Sequence, residues 1–300
     1  MSQPTVTFIF MQVVNHLPNF LLKHKAINIL CYLGIQTKIT CISYNKTAKA
    51  YIDLTDPEPR NILIKEVFEP SFFSIASKLL PSNGVFFDLG ANYGLCSFGL
   101  LPKYDKAKFH LFEANKKLFD TINKTINLHL NNTIFASHCC LSDKEGFSIF
   151  YLEDNQSGQS HVATNDEIGL EVKNLVLDKY CQDNKLDVVH FAKIDLEGHE
   201  LPTLHGWSNS LKSHNIKAIY IEIIPENQNR YNFETNGPLK YLESLGYELF
   251  LCKEDDFASF GERPRVYQYN GSSITLCKFR AIDYPDDYST DILALAPINI

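Results

Sequence analysis

From Gly84 onward the chain alternates short apolar runs with longer amphipathic ones. "VFFDLG" (85–90) leads into "LCSFGLLPKY", and "KFHLFEA" (108–114) leads into "NKKLFDTINKTINLHL". "TIFASHCCL" (133–141), "DVVHFAKIDL" (187–196) and "IKAIYIEII" (216–224) follow, then the helical pattern "GPLKYLESLG" and the runs "YELFLC" and "SITLCKF". Apolar runs of strand length with helices between them predict an α/β fold: a mostly parallel, seven-stranded sheet with helices on both faces. No long helix separates the last two runs, so that edge is expected to be antiparallel.

Upstream the pattern differs. Residues 1 to about 36 have helical spacing, with Phe20, Leu21, Ile27, Leu30 and Leu33 on one side and Gly34 as a stop. "KITCISYNKTAKAYIDL" (38–54) alternates on both sides of a polar turn and predicts a β-hairpin. "TDPEPR" breaks the pattern, and "EPSFFSIASKLL" (69–80) predicts a helix. We therefore divide the chain into an N-terminal helical segment and hairpin (1–60), suited to docking or homodimerisation, and a larger unit over 61–300. Residues 153–169 are polar and predict a loop over the site, with His161 as a substrate contact.

Composition narrows the function classes. The 300 residues are 45% hydrophobic and 21% charged, enough for a sizeable core. The net charge of −7 and the lack of a dense Lys/Arg cluster argue against nucleic acid as a partner. None of the eight cysteines forms a C-x-x-C pair or a zinc-like spacing with histidine, which favours a reducing, cytoplasmic setting. No stretch reaches the ~18 apolar residues of a membrane span. Five N-x-S/T sequons read as chance matches in an Asn-rich chain.

The loop after the first strand carries the chemistry. It reads Asp88-Leu89-Gly90-Ala91-Asn92-Tyr93-Gly94. Ligands of doubly wound sheets sit beyond the carboxyl ends of the strands, so this loop is a natural cradle. Its glycines are four apart, unlike the G-x-G-x-x-G of dinucleotide sites. A carboxylate at the strand end would repel a pyrophosphate and suit a ligand with a cationic amino-acid end. Glu113 ends the second strand, where an acid can read a ribose diol. Ser142 and Asp143 follow the third strand, within reach of an adenine amine.

In that order, FDLGANYG (87–94), HLFEANKKLFD (110–120), CLSDKEG (140–146), LDKY (177–180), FAKIDLEGHE (191–200) and IYIEI (219–223) resemble the FkbM family of S-adenosylmethionine (SAM)-dependent methyltransferases. The resemblance spans about residues 60–250. It implies a class I, Rossmann-like methyltransferase fold, with SAM as donor and S-adenosylhomocysteine (SAH) as product. It also implies a small-molecule or glycan hydroxyl as acceptor. Carried over, Asp88, Gly90, Asn92 and Gly94 line the methionine end. Glu113 holds the ribose, together with the adjoining Ala114 and Asn115, and Ser142 and Asp143 lie by adenine. Glu69, ahead of the first strand, faces the cofactor. Asp195 lies beside the transferred methyl.

An alcohol acceptor must lose its proton as it attacks, and a nearby carboxylate or imidazole can take it. Asp195, Glu197 and His199, within five residues, are the candidate bases. Asp195 and His199 share a face if this stretch is helical. Asp195 with Glu222, an acid in an otherwise apolar strand, leaves open a divalent metal that acidifies the hydroxyl. Three rivals remain at this point: an NAD-dependent enzyme, a SAM-binding scaffold without turnover, and an N-methyltransferase acting on an amine or a protein side chain.

Overall fold

The computed structural model describes residues 39–65, 67–129, 133–153, 156–164, 167–269 and 271–297. The helices expected within 1–36 lie outside them. The chain opens with β1 (Ile39–Tyr44) and β2 (Ala48–Asp53), the expected hairpin, then α1 (Pro57–Lys65) and α2 (Pro70–Leu79). Next come β3 (Val85–Leu89), α3 (Leu95–Leu100), β4 (Lys108–Glu113), α4 (Lys116–His129) and β5 (Ile134–His138). Four more strands follow: β6 (Cys140–Leu141), β7 (Gly146–Tyr151), β8 (His161–Val162) and β9 (Leu170–Leu175). The second half runs α5 (Leu177–Asp183), β10 (Phe191–Ile194), α6 (Glu200–His205), α7 (Ser208–Lys212), β11 (Ala218–Ile223), α8 (Pro225–Arg230) and α9 (Gly237–Ser244). It closes with β12 (Glu248–Leu251), β13 (Arg265–Tyr269), β14 (Ser272–Phe279) and β15 (Thr290–Leu295).

The main sheet has the order β5-β4-β3-β10-β11-β15-β12-β14-β13. The first five of these are parallel, and β15 runs antiparallel to both β11 and β12. This is the doubly wound sheet with an antiparallel edge that the class I methyltransferase resemblance implied. Three details differ from the pattern reading, the first being that the sheet has nine strands rather than the expected seven, with β13 and β15 added on its antiparallel side. β15, "TDILAL", enters between β11 and β12 with all six residues buried, which moves "SITLCKF" one place outward as β14. "TIFASHCCL" divides after His138: Cys140–Leu141 leave the main sheet and join β7, β8 and β9 in a separate four-stranded sheet.

Alternation along β3 builds the two core layers. Phe86 points to the layer under α2, against Phe72, Phe109 and Phe191. Phe87 points the other way and stacks on Trp207, with ring centroids 5.4 Å apart. Trp207 is fully buried, so truncation there would cost about 3–5 kcal/mol. The hairpin shares the first layer: Ile42, Ala50 and Ile52 belong to it, Tyr44 donates its hydroxyl to the Leu95 carbonyl at 2.6 Å, and the Tyr51 N–H bonds Thr125 Oγ1. Among the described residues no helix is long and apolar enough to cross a membrane.

The sheet's strand order reverses between β3 and β10, which lie side by side. A crevice opens where their carboxyl ends diverge, and the polar sequence motifs converge there.

Candidate active site

A cavity of about 440 Å³ lies over these strand ends, within the ~300–1,000 Å³ typical of small-molecule sites. Gly90 and Asn92 form part of its floor and Glu113 one wall. Gly90 has φ +80°, and a Cβ there would sit 1.8 Å from the Asp195 carbonyl oxygen. The glycine is therefore required by the neighbouring strand end, whatever the ligand. Gly94, at φ +72°, faces the Phe98 and Leu111 side chains and does not line the cavity.

Glu113 is buried. Its Oε2 accepts the Asn92 N–H at 2.7 Å and its Oε1 the Asn115 N–H at 2.7 Å. Burial pushes its pKa up to about 7, and these backbone donors oppose the rise. Beside it, Ala114, Leu118, Cys140, Leu141 and Phe150 make a largely apolar wall. Asp88 is turned away from the cavity. Its carboxylate accepts the Ser97 hydroxyl at 2.6 Å and the Ser97 N–H at 3.3 Å, fastening the start of α3. Burial raises its pKa to about 6. Asp88 faces a smaller adjoining recess, shared with Lys193, Glu69, Gly90 and Asp195.

The other end of the cavity is acidic. Asp195, Glu197 and Glu222 each place a carboxylate oxygen within 4.8 Å of the other two. Lys193 donates to Asp195 Oδ2 at 2.6 Å. Burial works against the Lys193 charge, but Asp195, Cys96, Glu222 and Asp88 around it hold its pKa well above the usual value. The negative charge of Asp195, followed by burial, pushes Glu222 up to about 10. Burial, then Asp195 and Glu200, push Glu197 up to about 8, although Asn227 donates to its Oε2 at 2.7 Å. Glu69, at φ 43° ahead of α2, lines both cavity and recess, and burial raises its pKa.

The "DLEGHE" stretch is a turn, not a helix, so the helical-face argument for Asp195 and His199 fails. Glu197 adopts φ 54° and Gly198 φ 103°. A Cβ at Gly198 would meet the Asn227 carbonyl oxygen at 2.2 Å. Neither Asp195 nor Glu197 caps α6. Instead the buried Glu200 accepts the Leu196 N–H at 2.9 Å and the Gly198 N–H at 3.2 Å through Oε1, and the Gln228 amide at 2.5 Å through Oε2. His199 still reaches the cavity wall. Burial pushes its pKa down to about 4, its ring packs edge-on against Tyr231, and both ring nitrogens are buried without a partner.

The structure thus gathers Glu69, Gly90, Asn92, Glu113, Ala114, Asp195, Glu197, His199 and Glu222 around one cavity. It leaves out Asp88, Gly94, Asn115, Ser142 and Asp143. Asn115 caps α4, its Oδ1 accepting the Lys117 N–H at 3.0 Å. Ser142 and Asp143 hydrogen-bond each other and face an outer groove beside Pro202 and His205. The chain leaves the main sheet at Cys139, so Cys140 and Leu141 take the wall position expected for them. From the 153–169 segment, Gln156 through Ser160 line the cavity, and Ser157 Oγ lies 3.4 Å from Asn92 Oδ1. His161 turns away and is held by the Gln159 carbonyl and Glu167. Sequence reasoning missed Glu200 as the brace of the turn. Its only signal was a glutamate five positions after Asp195, at the start of a short helix.

A doubly wound sheet, a crevice at its switch point and a buried acid at the second strand's end define a Rossmann-like nucleoside-binding core, and the family comparison sets its class. The family model described as the methyltransferase FkbM domain matches residues 88–249. The chain belongs to that family of SAM-dependent methyltransferases. It is 31% identical to methyltransferase sdnD of Sordaria araneosa over 178 residues, which cover 48% of this chain and 67% of that protein. It is 26% identical to the hexuronic acid methyltransferase AglP of Haloferax volcanii over 141 residues, covering 46% of this chain and 55% of that protein. Among solved structures, it resembles a precorrin-6y C5,15-methyltransferase from Geobacter metallireducens at 12% identity and a TM-score of 0.38, covering 75% of this chain and 87% of that one.

Proposed function

We propose that this chain transfers a methyl group from SAM to a hydroxyl of a sugar or a related small polyhydroxylated acceptor. The observation that carries this reading is the division of one cavity into two chemically different ends. The Glu113 end suits a nucleoside: a carboxylate held in place by backbone N–H groups for a ribose diol, an apolar wall for a flat base, and a floor glycine that leaves room. The relative named as a hexuronic acid methyltransferase supports a sugar acceptor.

When bound, SAM supplies an electrophilic methyl on a sulfonium. The residues of this chain do the rest. Gly90, Asn92 and Glu113 hold the adenosine portion, and Glu69 faces the cationic amino-acid portion. Asp195 takes the proton from the attacking hydroxyl, a contribution of about 10²–10⁴-fold. Glu197 and Glu222 orient the acceptor through its other hydroxyls, and the Lys193 ion pair fixes the Asp195 carboxylate. Gln156–Ser160 cover the cavity and exclude water.

The test is SAH release from SAM across a panel of glycosides. Turnover that Asp195→Asn abolishes without weakening SAM binding would support the reading. SAH release with amines alone would refute it. The spacing of Asp195, Glu197 and Glu222 also suits a shared divalent cation. Activity lost in chelator and restored by Mg²⁺ would assign the cluster to a metal.

A further inference from the structure

We propose that the β1–β2 hairpin belongs to the cofactor site, with its turn residue Asn45 acting as a positioning residue that sets Glu69 against the methionine end of SAM. This rests on the reading of Glu69 as a contact for that end. Both residues precede the stretch 88–249 that the family model matches. The Asn45 side chain grips the backbone of Phe68 by both of its polar groups: Oδ1 accepts the Phe68 N–H at 3.0 Å, and Nδ2 donates to the Phe68 carbonyl at 3.2 Å. That carbonyl lies in the peptide plane that also carries the Glu69 N–H. Holding the plane fixes the frame from which the Glu69 side chain departs.

Glu69 needs such a hold. It adopts φ 43° and ψ 56°, a left-handed conformation that persists in a non-glycine residue only where its surroundings impose it. Its own carbonyl is held on the other side, accepting the Phe73 N–H at 3.1 Å. Although Glu69 stands at the N-cap of α2, its side chain makes no capping bond. It lines instead the recess shared with Asp88, Lys193 and Asp195, and the cavity beside it. The hairpin end is itself anchored. Tyr44 packs edge-on against Phe68, with ring centroids 6.4 Å apart, and bonds the carbonyl of Leu95, the first residue of α3. Asn45 has φ 45°, a conformation that asparagine tolerates in turns. One residue therefore both turns the hairpin and reaches Phe68.

The experiment is a double-mutant cycle on SAM affinity, measured by calorimetry on the full chain, with a denaturation curve for each variant. Asn45→Gly keeps the left-handed turn and removes the two side-chain bonds. It is expected to weaken SAM binding by about 3–10-fold, and Glu69→Ala by about tenfold or more. Added to Glu69→Ala, Asn45→Gly is expected to cost no more than about a further twofold, because the contact it positions is already gone. Asn45→Asp keeps an acceptor for the Phe68 N–H and is expected to fall between wild type and Asn45→Gly. A merely stabilising role would lower the denaturation midpoint of Asn45→Gly and leave its SAM affinity unchanged. That result overturns the proposal, as does a double variant whose losses multiply. Unchanged affinity in Glu69→Ala removes the Glu69 contact, and the proposal falls with it. If Asn45→Gly is unfolded at the assay temperature, Asn45→Asp takes its place in the cycle under the same criteria. None of these readouts needs an acceptor, so failure of the hydroxyl reading is seen separately, in SAH release.

Discussion

At the end of β4, Glu113 has a backbone N–H on each carboxylate oxygen. At the ends of β10 and β11, three carboxylates share a space in which they cannot all ionise freely. One end is satisfied before any ligand arrives. The other holds unresolved repulsion and a turn with Glu197 in the left-handed region. Such tension is commonly stored where a site works on its substrate. On the proposed function, the first end would set cofactor affinity and the second turnover and acceptor choice.

The substitution expected to break both ends is Gly90→Ala. Its Cβ would overlap the Asp195 carbonyl, from a backbone conformation unfavourable for alanine. A loss of about 3 kcal/mol or more is expected, read by chemical denaturation. Retained stability would show that the two strand ends are not packed as described. Next in size, Asp195→Asn should lower kcat by about 10²–10⁴-fold. Glu113→Gln should weaken SAM binding by about 10–100-fold, the scale of a hydrogen bond to a charged group, as read by calorimetry.

A smaller effect sharpens the contrast through pH. Glu222 has its folded-state pKa raised to about 10 by Asp195 and burial, against an ordinary value of ~4.3. The folded protein therefore keeps a proton that the unfolded chain releases. Stability from this group is full below about pH 4 and is lost as pH rises toward 10. Glu222→Gln should remove that slope, so that its stability relative to wild type rises steadily between about pH 5 and pH 9, as seen in thermal melts across pH. Parallel curves for the two proteins would contradict it. Smallest is the His199 effect. Burial holds its pKa near 4, so the activity ratio of wild type to His199→Asn should stay flat from pH 5.5 to 8 in rate profiles.

Much of the parallel sheet could be read in advance because each of its strands is a short apolar run fed by a helix. β15 escaped because Thr290 and Asp291 begin it and only a three-residue 3-10 turn precedes it; its burial comes from two neighbours remote in sequence. The glycine loop was legible as a site element, but for a different reason. Gly90 serves the Asp195 backbone, and Asp88 serves Ser97. Ser142 and Asp143 were misplaced because a two-residue strand turns the chain out of the main sheet, and nothing in "CCLSD" marks that turn. The "DLEGHE" turn hid behind a helical spacing. Its shape depends on Glu200 reaching back to two N–H groups and on Asn227, neither of which a linear pattern can locate.

The division of labour is tested most directly by measuring SAM affinity and SAH release together in Glu113→Gln and Asp195→Asn. The expected result is a crossed pattern: Glu113→Gln loses affinity, while Asp195→Asn binds SAM within about threefold of wild type and loses turnover. Equal loss of SAM affinity in both, or full affinity in Glu113→Gln, would contradict the two-ended cavity.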